Sequence, residues 1–477
     1  MVDSKSFVES ILKAKENMLV NVSDDIWAHP ETRFEETQSK AILWQALSDE
    51  GFTLEDDVAG ISTAFTGTFG SGYPVIGILG EFDALADLSQ EGGVSHPQPI
   101  TEGGHGHGCG HNLLGTGSLA AAIAIKEYLQ ENGISGTVQY FGCPGEEGGS
   151  GKTFMAREGV FSHLDLALTW HPSTTNSMMS LSSLANYQVK FRFKGVSAHA
   201  AAAPHLGRSA LDAVELMNVG VNYLREHIKP DARVHYATTN TGGYSPNVVQ
   251  ANAEVLYLIR SPKMEDVRDI YRRVCNIAEG AAQMTETSVT IEIDKACSNY
   301  MPNRELEKVM YDQLKTLDPI EYSSEEIDYA KDMWNTLAPN EKLDALESVK
   351  SFGAFNDGDK LKGKYLSDVV HDYAPFDIAM PGSTDVADVS WNVPTAQCTL
   401  ATCAVGTPIH TWQMVTQGVT SVAHKGMLRA GTVMALTAID ILQSPEKLDS
   451  IKIEHEEKFK DHPYECPIPA DVQPSPL

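Results

Sequence analysis

The densest chemistry in the chain lies in residues 103–112, GGHGHGCGHN, where three histidines and a cysteine stand among glycines just ahead of a helix-like segment. Glycines let a backbone fold tightly around an ion, and thiolate and imidazole are soft and borderline metal ligands. The competing reading is a flexible loop whose histidines happen to cluster. Cys109 and His111, nearest the helix start, are better placed than His105 and His107. A second segment, PGEEGG at 144–149, holds Glu146 and Glu147 between glycines. Paired glutamates on a loop ordinarily form a solvated face. Alternatively, one carboxylate binds a metal while its neighbour activates a water, a division of labour that hydrolytic metal sites need. His171 in Trp170-His171-Pro172 and His410 in GTPIH read either as ligands or as buried, hydrogen-bonded histidines. The chain has no G-x-S-x-G elbow with plausible partners, no Walker A sequence and no G-x-G-x-x-G opening a helix after a strand, which argues against serine-hydrolase, ATP and dinucleotide chemistry.

Residues so far apart need a frame that brings their loops to one place. Short apolar runs at 73–80 (YPVIGILG), 137–143 (TVQYFGC), 164–170 (LDLALTW) and 396–404 (AQCTLATCA) suit strands covered on both faces. Residues 113–131, closed by Asn132-Gly133, and 423–442 carry helical spacing. The alternation predicts an α/β fold, a mixed and mostly parallel sheet sandwiched by helices. In such sheets, sites form beyond the carboxyl ends of the strands. Each run empties there into a ligand-bearing loop: Gly80-Glu81-Phe82-Asp83, PGEEGG, Trp170-His171-Pro172 and the segment ending at His410.

From about residue 184 the pattern becomes period-2, with Val189, Phe191 and Phe193 alternating with Gln188, Lys190, Arg192 and Lys194. One wet face means an antiparallel sheet of another kind. A helix at 209–227, strands near 232–239 and 250–259, a helix at 264–283 and a strand at 288–294 complete a β-α-β-β-α-β, ferredoxin-like order. The expected organisation is therefore a catalytic domain of 1–183 and 299–477, interrupted by an inserted domain of 184–298. Residues 323–347 read as solvated helix and connector, and the proline-rich tail after Pro463 as irregular.

Composition narrows the class. With 477 residues, 64 acidic against 36 basic side chains and a net charge of -28, the chain repels phosphate backbones and anionic lipid, so neither nucleic acid nor a membrane is an expected partner. Seven cysteines without framework spacing point to a reducing compartment. The N-terminal twenty residues read as an amphipathic helix and not as a signal peptide, and no apolar stretch approaches the ~20 residues that span a bilayer. The expectation is a soluble, cytoplasmic protein.

Taken in order, CGHN, PGEEGGSG, a histidine ending the next strand, GVSAHAAAAPHLGRSALDA and GTPIH resemble the dinuclear metallopeptidases, the family of aminoacylases, carboxypeptidase G, hippurate hydrolase and auxin-conjugate amidohydrolases. HPETRFEE, SPNVVQA and the closing CPIP…PSPL resemble its aminobenzoyl-glutamate branch. The resemblance implies two divalent ions, manganese or zinc, with Cys109 bridging them and His111, Glu147, His171 and His410 completing the ligands. It implies Glu146 as general base and acid, and His199, Asn247 and Arg260 as groups of the inserted domain that act on substrate, with His199 reaching it across a dimer interface. The implied activity is hydrolysis of p-aminobenzoyl-glutamate, a folate catabolite. The implied assembly is a homodimer or higher oligomer through the inserted domain, or a heteromer with a related A-type subunit. Rivals are another N-acyl-amino-acid amidohydrolase, a dipeptidase, or a non-catalytic member of a hydrolase complex. One departure stands out: the amidohydrolase branch usually carries Asp after the CGH tripeptide, where this chain has Asn112.

Overall fold

The computed structural model describes residues 3–343, 345 and 358–476. Part of the expected connector at 323–347 therefore lies outside the described residues.

The chain opens with α1 (Ser4–Ala28), capped by the Asp3 side chain on the Ser6 N–H, and α2 (Thr37–Asp49). Strands β1 (Thr53–Asp56), β2 (Phe65–Ser71), β3 (Val75–Glu81), β4 (Gly136–Cys143), β5 (Leu166–Ser173) and β6 (Ser177–Met178) follow, with α3 (His111–Asn132) between β3 and β4 and α4 (Gly151–Arg157) after β4. Next come β7 (Ala185–Lys194), α5 (Ala210–Leu224), β8 (Arg233–Asn240), β9 (Asn252–Ser261), α6 (Met264–Thr285) and β10 (Ser288–Cys297). The chain then runs through α7 (Arg304–Thr316), α8 (Ser324–Asn335), α9 (Val386–Asn392), β11 (Thr395–Ala401), α10 (Trp412–Gln417), α11 (Ser421–Gln443) and α12 (Pro445–Phe459).

One sheet has the order β1-β2-β4-β3-β5-β11-β6. Its four central strands, β4, β3, β5 and β11, are parallel, and antiparallel pairs close both edges. The expected mixed, mostly parallel α/β sandwich is thus the observed one. Period-2 geometry explains why these apolar runs are strands. Ile76, Ile78, Val138, Tyr140, Leu166, Leu168 and Trp170 enter a core with α1, α3 and α11, whereas Leu79, Phe141, Cys143 and Ala167 enter the core on the opposite face, which includes Phe154 and Val389. The run expected as a strand to residue 404 leaves the sheet at Ala401, where the Thr402 N–H donates to Ser173 O at 2.9 Å.

The second sheet has the order β10-β7-β9-β8, entirely antiparallel, with β8 at an open edge. Its segments follow the β-α-β-β-α-β order expected from sequence. Tyr187, Val189, Phe191 and Phe193 are buried beneath α5 and α6, and the polar alternates of β7 face the other way. Among the described residues no helix is long and apolar enough to cross a membrane.

Candidate metal centre and active site

The parallel strands deliver their carboxyl ends to one edge, and the candidate residues meet there. α3 begins at His111 directly after Gly110, whose φ of 78° is left-handed backbone that favours glycine. That reversal sets Cys109 and His111 side by side at the helix start. From β4 the chain enters the glycine-rich turn that carries Glu146 and Glu147, while β5 carries His171. The loop after β11 ends at His410, held at a φ of 59° that few non-glycine residues adopt. Its backbone N–H donates to Gly108 O at 2.8 Å, which ties this loop to the cysteine loop.

Donor atoms converge in three overlapping groups, each within 4.8 Å: Cys109 with His111 and His171; Cys109 with Glu147 and His410; and Glu81 with His111 and Glu146. Cys109 is common to the first two groups, and His111 to the first and third. Cys109 Sγ lies 3.4 Å from His171 Nε2, and His410 Nε2 lies 3.2 Å from Glu147 Oε1. His171 turns its Nδ1 to Pro172 O at 2.7 Å, leaving Nε2 as the lone-pair nitrogen. His111 Nδ1 meets Asp83 Oδ1 at 2.9 Å, and its buried Nε2 has no hydrogen bond. A carboxylate behind a ligating imidazole is the usual outer support of a metal site. The donors therefore fit divalent cations. So does the charge: Glu81, Asp83, Glu146, Glu147 and Asp385 crowd one region, and the buried ammonium of Lys152 pairs with two of them, Glu81 and Asp385.

Burial and the charge of His111 pull His171 down to about 4, so its imidazole is neutral, the form able to offer a lone pair. Although burial opposes it, the His410 hydrogen bond and the His111 charge hold Glu147 at about 2. Burial, and then Glu147, push the Cys109 thiol well above its ordinary value. Burial, reinforced by Glu81, Glu147 and Asp385, does the same to the Glu146 carboxyl. Cations bound nearby reverse both effects by favouring the charged forms.

Of the other expected residues, Arg260 lines the same cavity, of about 700 Å³, with Cys109, Glu146, Glu147, His171 and His410. His199 and Asn247 are both exposed and do not line it. His199 Nδ1 accepts the backbone N–H groups of Ala201 and Ala202 at 3.2 and 3.1 Å, which leaves Nε2–H outward as a donor. His107 is buried with Nε2 3.2 Å from Ile26 O, and His105 is exposed, so neither joins a donor group. Asn112 points away from the cluster: its amide donates to Ser23 Oγ and to Gly418 O, each at 3.1 Å. A carboxylate has no proton to give Gly418 O, so the amide suits this packing.

Sequence reasoning did not assign the supporting residues. Lys152, fully buried, bridges Glu81 at 2.7 Å and Asp385 at 2.6 Å. Asp83 also accepts the Glu147 N–H at 2.8 Å. The HPETRFEE segment cradles the PGEEGG turn from behind: Glu36 accepts the Gly145 N–H at 2.9 Å, and Arg33 donates to Gly148 O and pairs with buried Asp294 at 3.2 Å. Glu81 and Asp83 stand in a strand-end loop whose position in the sequence was the available signal; Asp385 offered none.

The model of Peptidase family M20/M25/M40 matches residues 77–413. Across 99% of this chain and 98% of the relative, the sequence is 52% identical to the B subunit of p-aminobenzoyl-glutamate hydrolase from Escherichia coli (strain K12). It is 27% identical to the Xaa-Arg dipeptidase of Mus musculus, over 92% of this chain and 89% of that protein. The fold is similar to that of an aminobenzoyl-glutamate utilization protein from Klebsiella pneumoniae, with a TM-score of 0.61 at 16% identity, covering 92% of this chain and 99% of that one.

Proposed function

The chain belongs to Peptidase family M20/M25/M40, and from that premise we propose that it is a metal-dependent amidohydrolase cleaving p-aminobenzoyl-glutamate to p-aminobenzoate and glutamate. The observation that carries the reading is the pair of donor groups sharing Cys109 within one cavity. Cys109, His111, Glu147, His171 and His410 would hold two divalent ions, zinc or manganese. Bound there, such ions supply Lewis acidity, polarising the scissile carbonyl and acidifying the attacking water.

The chain's own residues do the rest. Glu146, beside the ligands but not needed among them, takes the proton from the water and delivers it to the departing amino nitrogen of glutamate. Asp83 fixes the His111 ring and the Glu147 backbone together. Arg260 binds the carboxylate next to the scissile amide: its guanidinium lines the cavity, its Nε is buried without an acceptor, and its planar fork matches a carboxylate.

We take residues 184–298 as the inserted lid and dimerisation domain, which contains the whole second sheet. The open β8 edge, with Tyr236 exposed, and the exposed Val219 and Tyr223 of α5 support pairing with another copy or with a related A-type subunit. In such an assembly His199 and Asn247 act on the substrate of the neighbouring chain. A ligating thiol must stay reduced, which favours the cytoplasm.

The test is hydrolysis by protein reconstituted separately with zinc and with manganese, following p-aminobenzoate release from p-aminobenzoyl-glutamate beside a panel of other acyl-amino acids and Xaa-Arg dipeptides. Turnover of the dipeptides and not of p-aminobenzoyl-glutamate would overturn the substrate assignment.

A further inference from the structure

The polar face of the second sheet carries more positive charge toward the cavity than one carboxylate requires. Register sets Arg260 opposite Asn186, and Lys295 opposite Gln188; cross-strand partners share a face. All four line the cavity that holds Glu146 and His171. Lys295 reaches this position through a bulge, where pairing steps from Ile293–Val189 to Lys295–Gln188. Such an insertion re-aims side chains next to sites. Asp294, the residue inserted, turns into a cluster with Lys190 at 2.6 Å, Gln188 at 2.7 Å and Arg33 at 3.2 Å.

Further along β7, on the same face, the cations are neutralised. Lys190 pairs with Asp294, and Arg192 pairs with Glu254 at 2.6 Å and with Glu292. Arg260 and Lys295 have no ion-pair or hydrogen-bond partner among the described residues. In a chain with 64 acidic side chains against 36 basic ones, two unpaired cations in one cavity are not what random placement gives. The buried Asn186 Oδ1 and Arg260 Nε beside them also lack hydrogen bonds. Buried polar atoms left unpaired cost stability unless a ligand satisfies them. One strand separates β9 from β10, so the two cations arise about 10 Å apart laterally. Long side chains can close that gap onto the two carboxylates of one amino acid.

We propose that Lys295 reads the second, side-chain carboxylate of a dicarboxylic amino acid while Arg260 reads its α-carboxylate. The site then selects acyl-glutamate over acyl-amino acids with neutral side chains. This rests on the amidohydrolase reading above and adds the residue that sets its specificity.

The experiment holds the acyl group constant and compares p-aminobenzoyl-glutamate, -glutamine and -glycine on the metal-loaded full chain. The parent is expected to prefer glutamate over glutamine in kcat/KM by about 10–100-fold, the worth of one charge-assisted contact. Lys295→Met should remove that preference by lowering glutamate turnover alone, with glycine turnover and metal content unchanged. Lys295→Arg, which keeps the charge, should retain most of it. The parent measurement alone tests the proposal if a variant fails to fold: equal rates on glutamate and glutamine overturn it. So does a Lys295→Met loss shared equally by all three substrates. Failure of the parent on all three would instead refute the amidohydrolase reading.

Discussion

Glu146 and Glu147 are neighbours in sequence, yet they fall in different donor groups, and that difference makes a quantitative prediction. Glu147 shares its group with Cys109 and His410, and its carboxyl is held at about 2, so it is charged at every working pH. Glu147→Gln removes that charge and leaves a neutral oxygen. Loss of an outer-shell partner alone costs about 10–100-fold in metal affinity, so loss of a ligand should cost more than about 100-fold at one of the two sites. Glu146→Gln should retain both metals. Because burial and three neighbouring carboxylates favour its neutral form, the amide should fold at least as stably as the parent. Its turnover should fall by about 10²–10⁴, the usual contribution of a general base, or roughly 3–5 kcal/mol of barrier.

The assay pairs elemental analysis after dialysis with kcat measured at saturating metal. A metal-poor Glu146→Gln beside a metal-replete Glu147→Gln would show the two roles reversed. Glu81→Gln is the informative third arm, because Glu81 shares the group with His111 and Glu146. Retained metal in that variant assigns Glu81 to the pair with Lys152, and lost metal assigns it to the ligands.

Lys152→Met leaves Glu81 and Asp385 buried without their cation, so unfolding in urea should show a loss of about 3–5 kcal/mol, partly recovered when Asp385→Asn is added. Glu36 is raised by burial, then by Asp83, from 4.5 to about 8. A carboxyl raised on folding contributes stability that is present below 4.5 and lost as pH climbs through 8. Glu36→Gln keeps an acceptor for Gly145 N–H, so it should match the parent near pH 4.5 and exceed it by a few kcal/mol above pH 8 in pH-resolved denaturation. If His199 acts across an interface, mixing inactive Glu146→Gln and inactive His199→Ala chains should restore part of the activity; no recovery after verified exchange of chains would count against completion in trans.

The candidate ligands were legible because their residue types are uncommon and their spacing is local. Cysteine and histidine among glycines before a helix, and paired glutamates after a strand, announce themselves within ten residues. The strands were legible for a related reason: a run buried on both faces needs continuous apolar character, as in β3 and β5. β1 and β2 were not, since TLED and FTGTFGS, at an antiparallel edge, carry neither a full apolar run nor clean alternation. Glu36 and Arg33 could be flagged as part of a motif, but nothing local says that they bond Gly145 and Gly148 more than a hundred residues away.

The charge balance of the centre belongs to the fold alone. Lys152 meets Asp385 across 233 residues, and lysine and aspartate are too common for either to stand out in a linear reading. The same holds for Asp83, whose two oxygens reach different parts of the site. Oδ1 fixes His111, which belongs to one donor group sharing Cys109, and Oδ2 fixes the backbone of Glu147, which belongs to the other. Both groups therefore depend on one carboxylate. On the proposed ligand assignment that residue would couple the two metal positions without touching either ion, and their occupancies should rise and fall together.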